Sequence, residues 1–339
     1  MKSTRVLDVL DLPSGRCVGT LHRPEMRTSD LGLLWVNFGY VPRDGHGGLA
    51  SQASDVLAND GVPCFRYDLP GLGDAPGPLP KVTHDFFPVV TGGSFTKVTV
   101  ELVEALCARE GLSGLVVAGL CGGAVNAIFT ADAAKERVKG LILLEPELYQ
   151  TEPKAADGTV QPMRLRAWLR QLLPADRGVA LSLIDQALQA KLPMEDVVKA
   201  VVARTVPKQA FNYWGWMRLL TSEGKYSRFV PFPRRAILDF LMSRSGLPSV
   251  TNLPLAAMWK RWVEAGHPAL VITADGKLRE IFFDRINAGM PVRLDTPSYV
   301  HVRLPGTNHI FTTGGAIATV TKHLEANWKL FSSASRRPS

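Results

Sequence analysis

"GLCGGAV", residues 119–125, sets one cysteine among three glycines. The stretch before it, "GLVVA" (114–118), is a continuous apolar run of strand length, and "VNAIFTADAAKERV" (125–138) after it reads as a helix. The spacing G-x-C-G-G fits the turn that lifts a nucleophile between strand and helix, with Cys121 in the place of serine. The requirement is steric. A residue at the apex of such a turn has a strained backbone, and Gly119 and Gly123 must be small because strand and helix approach each other there. The Cys121 side chain is expected to project at the carboxyl edge of a sheet, facing a helix N-terminus whose dipole favours the thiolate. Gly122 then offers a backbone N–H to an oxyanion. A small structural cysteine in a glycine-rich turn would look the same, so the partners decide.

Outward from this turn, strands and helices alternate. "RVLDVLDL" and "RCVGTLHRP", separated by "PSG", predict an opening β-hairpin. "LGLLWVNFGY" is a buried strand ending near Gly39, "LASQASDVLAND" a helix, and "VPCFRYDLPGLGDAPG" a strand entering a glycine- and proline-rich loop. "FTKVTVELVEALCAREG" predicts a helix with Val100, Val103, Leu106 and Cys107 on one face. "VKGLILLEPEL" is the sixth strand. Alternation breaks at "YQTEPKAADGTVQP", and the reading to Arg261 is nearly all helical. It returns with "PALVITA", "YVHVRLPG" and "AIATVTKHLEANWKLF". The expected fold class is therefore α/β: a mainly parallel sheet flanked by helices, with a helical insertion after the sixth strand. The expected boundaries are 1–149 and 262–331 for the core, 150–261 for the insertion and 332–339 for a disordered tail.

The chain has 339 residues, 46% of them hydrophobic and 21% charged, which is enough for one large core with an insertion. No apolar run approaches the roughly 18 residues of a membrane span, and the start lacks the apolar segment of a secretory signal. Four cysteines, none in CxxC spacing, argue for reduced thiols, a cytoplasmic setting and no zinc site. The formal charge of +8 is unevenly placed. Residues 151–261 hold 17 Lys+Arg against 8 Asp+Glu, so the excess lies in the insertion. Such a segment suits an anionic partner, such as a phosphate-bearing thioester or an acidic carrier protein, as much as it suits a solvated surface. No nucleic-acid-binding motif accompanies the charge.

An acyl-transfer site needs a base beside its nucleophile. "VRLPGTNHIFTT" places His309 after a strand and before the last helix, at the same sheet edge as Cys121. "NFGY" offers Gly39 for a turn and the Tyr40 amide as a second oxyanion donor beside Gly122. Asp68, Gly71, Gly73 and Asp74 read as structural, the glycines for a tight loop and Asp74 as a cap. Trp168, Trp214, Trp216 and Trp259 suggest an apolar surface on the insertion over an acyl pocket, or simply its core.

The blocks "GTLHRPE", "FGYVPRDGHG", "RYDLPGLGDAPG", "GLCGGA" and "LPGTNHIF" together resemble the α/β-hydrolase superfamily over essentially the whole chain outside 150–260. The resemblance implies the α/β-hydrolase fold with the insertion as a lid, and a Cys121–His309 pair completed by an acid. That acid is expected after the seventh strand. Here Asp275 follows "ALVITA" about two residues early, with Lys277 in the usual place; Glu145 after the sixth strand and Glu280 are the alternatives. The implied chemistry is hydrolysis of an ester or thioester through an acyl-thioenzyme, without metal or other cofactor. The alternatives are acyl transfer from a CoA or carrier-protein thioester to an alcohol or amine, and an inactive hydrolase-fold scaffold.

Overall fold

A computed structural model describes residues 3–78, 86, 89–148, 252–274, 283, 284, 286, 287, 294 and 296–334 of the chain. The expected lid falls outside these residues from 150 to 251, as do Trp168, Trp214, Trp216, Asp275, Lys277, Glu280 and the chain beyond Ala334. Met1–Tyr149 and Asn252–Ser339 form one compact unit.

Eight strands make one sheet in the order β1-β2-β4-β3-β5-β6-β7-β8. β1 (Ser3–Leu12) and β2 (Gly15–Pro24) form the expected antiparallel hairpin, with Leu12 opposite Gly15. β2 pairs antiparallel with β4 (Cys64–Asp68). From there the pairing is parallel, through β3 (Leu31–Trp35), β5 (Gly114–Leu120), β6 (Val138–Leu144), β7 (Ala269–Ala274) and β8 (Tyr299–Leu304). Alternate residues of the central strands share one face. Leu31, Leu33, Trp35, Val116, Ala118, Ile142, Leu270 and Ile272 meet Leu49, Ala53 and Leu57 of α1 (Leu49–Asn59) and Val320 and Leu324 of α5 (Ala316–Asn327). Their neighbours Leu115, Val117, Leu141, Leu143 and Val271 are equally buried on the other face. α2 (Thr96–Glu110) and α3 (Gly122–Ala133) pack together on that side, and α4 (Leu253–Glu264) packs on α3. Burial on both faces is why these strands read as unbroken apolar runs. No helix among the described residues is long and apolar enough to cross a membrane.

Three details differ from the sequence reading. The buried face of α2 holds Val98 and Leu102 with Val103, Leu106 and Cys107, and Val100 lies beside it rather than in it. α4, counted by sequence with the insertion, belongs to the core: Leu255, Trp259, Trp262 and Val263 are buried, the Trp259 indole donates to Asn287 at 2.9 Å, and Arg261 pairs with Asp132 at 2.9 Å. Trp259 is thus a core residue. Finally, α6 (Lys329–Ala334) runs past the expected start of the tail, held by Phe331, whose ring fills the space that a side chain at Gly140 would need.

The Asn252 N–H donates to the Leu148 carbonyl at 3.0 Å, so the two ends of the described chain that flank residues 149–251 lie side by side. The Asn252 side chain also donates to the Thr91 carbonyl at 2.9 Å and accepts from the Leu255 amide as the cap of α4.

Two histidines, His22 buried and His301 half-buried, contribute to the acid stability. Arg66 Nε–H donates to His22 Nε2 at 2.8 Å, so His22 Nδ1–H donates to Asp55 at 2.9 Å and the ring is neutral. Burial, then the Arg66 guanidinium, pushes His22 down to about 4. Burial and then Arg303 push His301 down to about 4 as well. Both values lie below the ordinary ~6.5 of an unfolded chain, which therefore takes up protons that the folded protein refuses. This contribution to stability is full above about pH 6.5 and is lost as pH falls toward 4, by up to about 1.4 kcal/mol per pH unit for each ring. Urea denaturation should show a midpoint that is steady near pH 7 and falls between pH 6.5 and 4. His301→Gln should reduce that slope, and a midpoint flat to about pH 4.5 would contradict the assignment.

Candidate active site

The carboxyl ends of the central strands are aligned by hydrogen bonds that continue past the strands themselves. Val36 N–H donates to the Ala118 carbonyl at 3.0 Å, Cys121 N–H to Leu144 at 2.9 Å, and Glu145 N–H to Ile272 at 3.0 Å. The residues just beyond β3, β5, β6 and β7 therefore lie along one edge. Cys121 stands there at the apex between β5 and α3, with φ 55° and ψ −114°. A β-carbon on Gly119 would lie 2.2 Å from the Gly123 carbonyl carbon, and one on Gly123 would lie 2.6 Å from the Asn37 oxygen. The steric account of the turn thus has atoms attached to it. α3 has no side-chain cap, so its first-turn N–H groups are directed to the space beside the sulfur. Cys121 is partly exposed, while Cys17, Cys64 and Cys107 are buried.

Among the described residues, three non-glycines have positive φ: Cys121, Glu145 (φ 47°) and Phe311 (φ 55°). All three lie at or within two residues of the candidate site, where such strain persists only when the surroundings enforce it. Glu145 is fully buried at the end of β6. One carboxylate oxygen accepts from the Ala274 amide at the end of β7, and the other faces His309 Nδ1 at 3.2 Å. Contact through Nδ1 leaves Nε2 as the ring nitrogen for a thiol proton. The His309 loop is clasped by Asn308, whose side chain accepts from the Thr312 amide at 2.8 Å and donates to the Thr312 hydroxyl at 2.9 Å. Phe311, wholly buried, anchors the same loop in the core.

The candidate oxyanion loop also sits at this edge. Gly39 (φ 68°) is the backbone nearest to Gly122 apart from the turn itself, about as close as van der Waals contact to where a Gly122 side chain would begin. Tyr40 follows, its ring stacked on Phe86 with centroids 4.0 Å apart. Buried polar groups hold this loop. Asn37 Nδ2 donates to the Val41 carbonyl at 3.1 Å and to Asp68 at 2.7 Å, and its Oδ1 accepts from the Leu69 amide at 2.9 Å. Asp68, fully buried, accepts further from the Arg43 amide and guanidinium and from the Asp74 amide. Asp68 and Gly73 are structural, as read: a side chain on Gly73 would strike the Asp68 carboxylate. The Asp74 carboxylate, read as a cap of the helix or turn that follows, pairs with Arg43 at 2.6 Å.

One residue was not anticipated. Glu147, almost completely buried, brings a carboxylate oxygen to within 4.8 Å of both the Cys121 sulfur and a His309 ring nitrogen, which lie within the same distance of each other. This is the one group of three metal-ligating side chains among the described residues. The available signal was "EPE" (145–147), two acids one residue apart at the end of an apolar strand. Asp275 and Glu280 lie outside the described residues, so Glu145 is the candidate acid that is seen beside His309.

The chain belongs to the alpha/beta hydrolase family, whose sequence profile matches residues 45–314. No curated protein matches it. Among solved structures it is similar to dienelactone hydrolase from Anabaena variabilis, with 13% identity over 98% of this chain and 99% of that one and a TM-score of 0.50. It is likewise similar to DcsB in complex with its substrate analogue, with 14% identity over 97% of this chain and 100% of that one and a TM-score of 0.53. At such identities the likeness is one of fold.

Gly119→Ala tests the steric basis of the turn. With backbone atoms 2.2 Å from the new β-carbon, nothing flexible can yield, and the loss should be about 3 kcal/mol or more, read as a fall in urea midpoint or a failure to fold. Gly111→Ala, at a helix end where nothing lies within 4 Å, is the control and should cost only about 1 kcal/mol for its left-handed backbone.

Proposed function

We propose that the chain hydrolyses an ester or thioester through a covalent acyl–Cys121 intermediate. The observation that carries this reading is the position of His309, with Nδ1 on the buried Glu145 carboxylate and its ring within 4.8 Å of the strained, partly exposed Cys121. His309 takes the thiol proton at Nε2 as sulfur attacks the acyl carbonyl. Glu145 holds the ring orientation and stabilises the imidazolium. The Gly122 amide at the start of α3, with the Tyr40 amide of the facing loop, supports the oxyanion. His309 then returns the proton to the leaving thiol or alcohol, and the acyl group remains on sulfur. A water molecule, deprotonated by His309, releases the acid and restores the thiol.

A cysteine nucleophile suits a thioester donor, because exchange of one thioester for another is nearly balanced in free energy. The basic excess in 151–261 favours a donor that carries phosphates or an acidic carrier protein. An alcohol or amine entering in place of water would make the same site an acyltransferase. The family comprises hydrolases by name, and that supports water as the default acceptor.

Incubation with an acyl-CoA followed by intact-mass and peptide analysis should place one acyl group on Cys121, and Cys121→Ala should show none. Glu145→Gln should lower kcat/KM by about 10²-fold, whereas Asp275→Asn should change it by less than about threefold. No adduct, with turnover retained in Cys121→Ala, would defeat the nucleophile reading. A reversed ranking of the two acid variants would move the acid to Asp275. Loss of water-dependent release when an alcohol or amine is added would identify a transferase.

A further inference from the structure

The acyl chemistry proposed above uses Cys121, His309 and Glu145, and leaves a second buried carboxylate, Glu147, beside the sulfur. Cys121, His309 and Glu147 bring a thiol sulfur, a ring nitrogen and a carboxylate oxygen to within 4.8 Å of one another. Thiolate, imidazole and carboxylate are also the three ligand types that zinc takes in sites that keep an open position. From these donors we infer that Cys121, His309 and Glu147 form a binding site for a zinc-class divalent cation, and that its occupation takes the nucleophile out of action.

The geometry is near what zinc requires. Bonds of about 2.3 Å to sulfur and about 2.0–2.2 Å to nitrogen and oxygen put tetrahedral ligand atoms about 3.3–3.8 Å apart. The three donor atoms here lie within 4.8 Å of one another, so closing on an ion needs shifts of about 1 Å or less per side chain. Cys121 and His309 are partly exposed and can make them, while Glu147 is fixed by burial. The absence of CxxC spacing spoke against zinc only for sites built from one sequence motif. This one is assembled from the ends of β5 and β6 and the loop after β8. Binding displaces one proton to solvent, from the thiol or from His309 if it already resides there, and the sulfur lone pair becomes a metal bond. Sulfur so held cannot attack a carbonyl.

The silencing rests on the nucleophile reading; the binding does not, and the two are measured apart. Iodoacetamide labelling with peptide mapping reads Cys121 selectively, because burial pushes the Cys17 thiol up to about 12 and the Cys107 thiol up to about 11, and raises that of Cys64. Labelling of Cys121 should be suppressed at least about tenfold by stoichiometric Zn²⁺ and restored by EDTA. Co²⁺ added to the wild-type protein should give a thiolate-to-cobalt charge-transfer band that is absent in Cys121→Ala. Glu147→Gln should weaken Zn²⁺, measured by competition with a chromogenic chelator, at least about tenfold. Equal labelling with and without Zn²⁺, no charge-transfer band, or zinc held equally by Cys121→Ala would overturn the site. Thioester turnover in EDTA, scored separately, reports on the nucleophile: zinc protection without turnover would sink the acyl reading and leave the cation site standing.

Discussion

The approach of β5 to the first turn of α3 is the constraint on which the rest of the molecule depends. Gly119 and Gly123 meet there with no space for a β-carbon on either. That contact forces Cys121 into a left-handed φ that a side chain rarely adopts, and so lifts its sulfur clear of the sheet. It also brings the first turn of α3 up beside the sulfur. Gly123 touches the Asn37 carbonyl region, which couples the turn to the loop after β3. Stability and chemistry share the same few ångströms.

Around that contact the protein builds a rigid edge from main-chain hydrogen bonds. Val36 to Ala118, Cys121 to Leu144 and Glu145 to Ile272 tie each strand end to the next. The side chains that matter hang from this edge and are held from behind. Asp68 and Asn37 brace the loop beside Gly122, and Asn308 braces the loop of His309. Each brace is buried or spans only a few residues of chain.

Much of this was legible in the sequence. Alternation of apolar runs with helical segments carried the sheet and its flanking helices, because burial on both faces leaves an unbroken apolar signature in β3, β5 and β7. The spacing around Cys121 carried the turn, because steric exclusion is local. The carboxylates were harder. Spacing after the seventh strand pointed to Asp275 ahead of Glu145, yet what places Glu145 beside His309 is the lateral pairing of β6 with β7, a contact between residues far apart in the chain. Glu147 was overlooked for the same reason: two acids at a strand end look like the start of a solvated loop until the fold closes over them. The place of α4 in the core was hidden too, since a helix that packs on α3 has the same apolar spacing as one packed within an insertion.

The pairing of Leu148 with Asn252 has an architectural consequence. Because Leu148 and Asn252 meet at one hydrogen-bonded point, the chain between them is tied at both ends and counts as a closed loop. The entropy of closing such a loop grows only with the logarithm of its length, so doubling the excursion costs about 0.6 kcal/mol. The length of chain between those two residues can therefore change with little entropic penalty to the core.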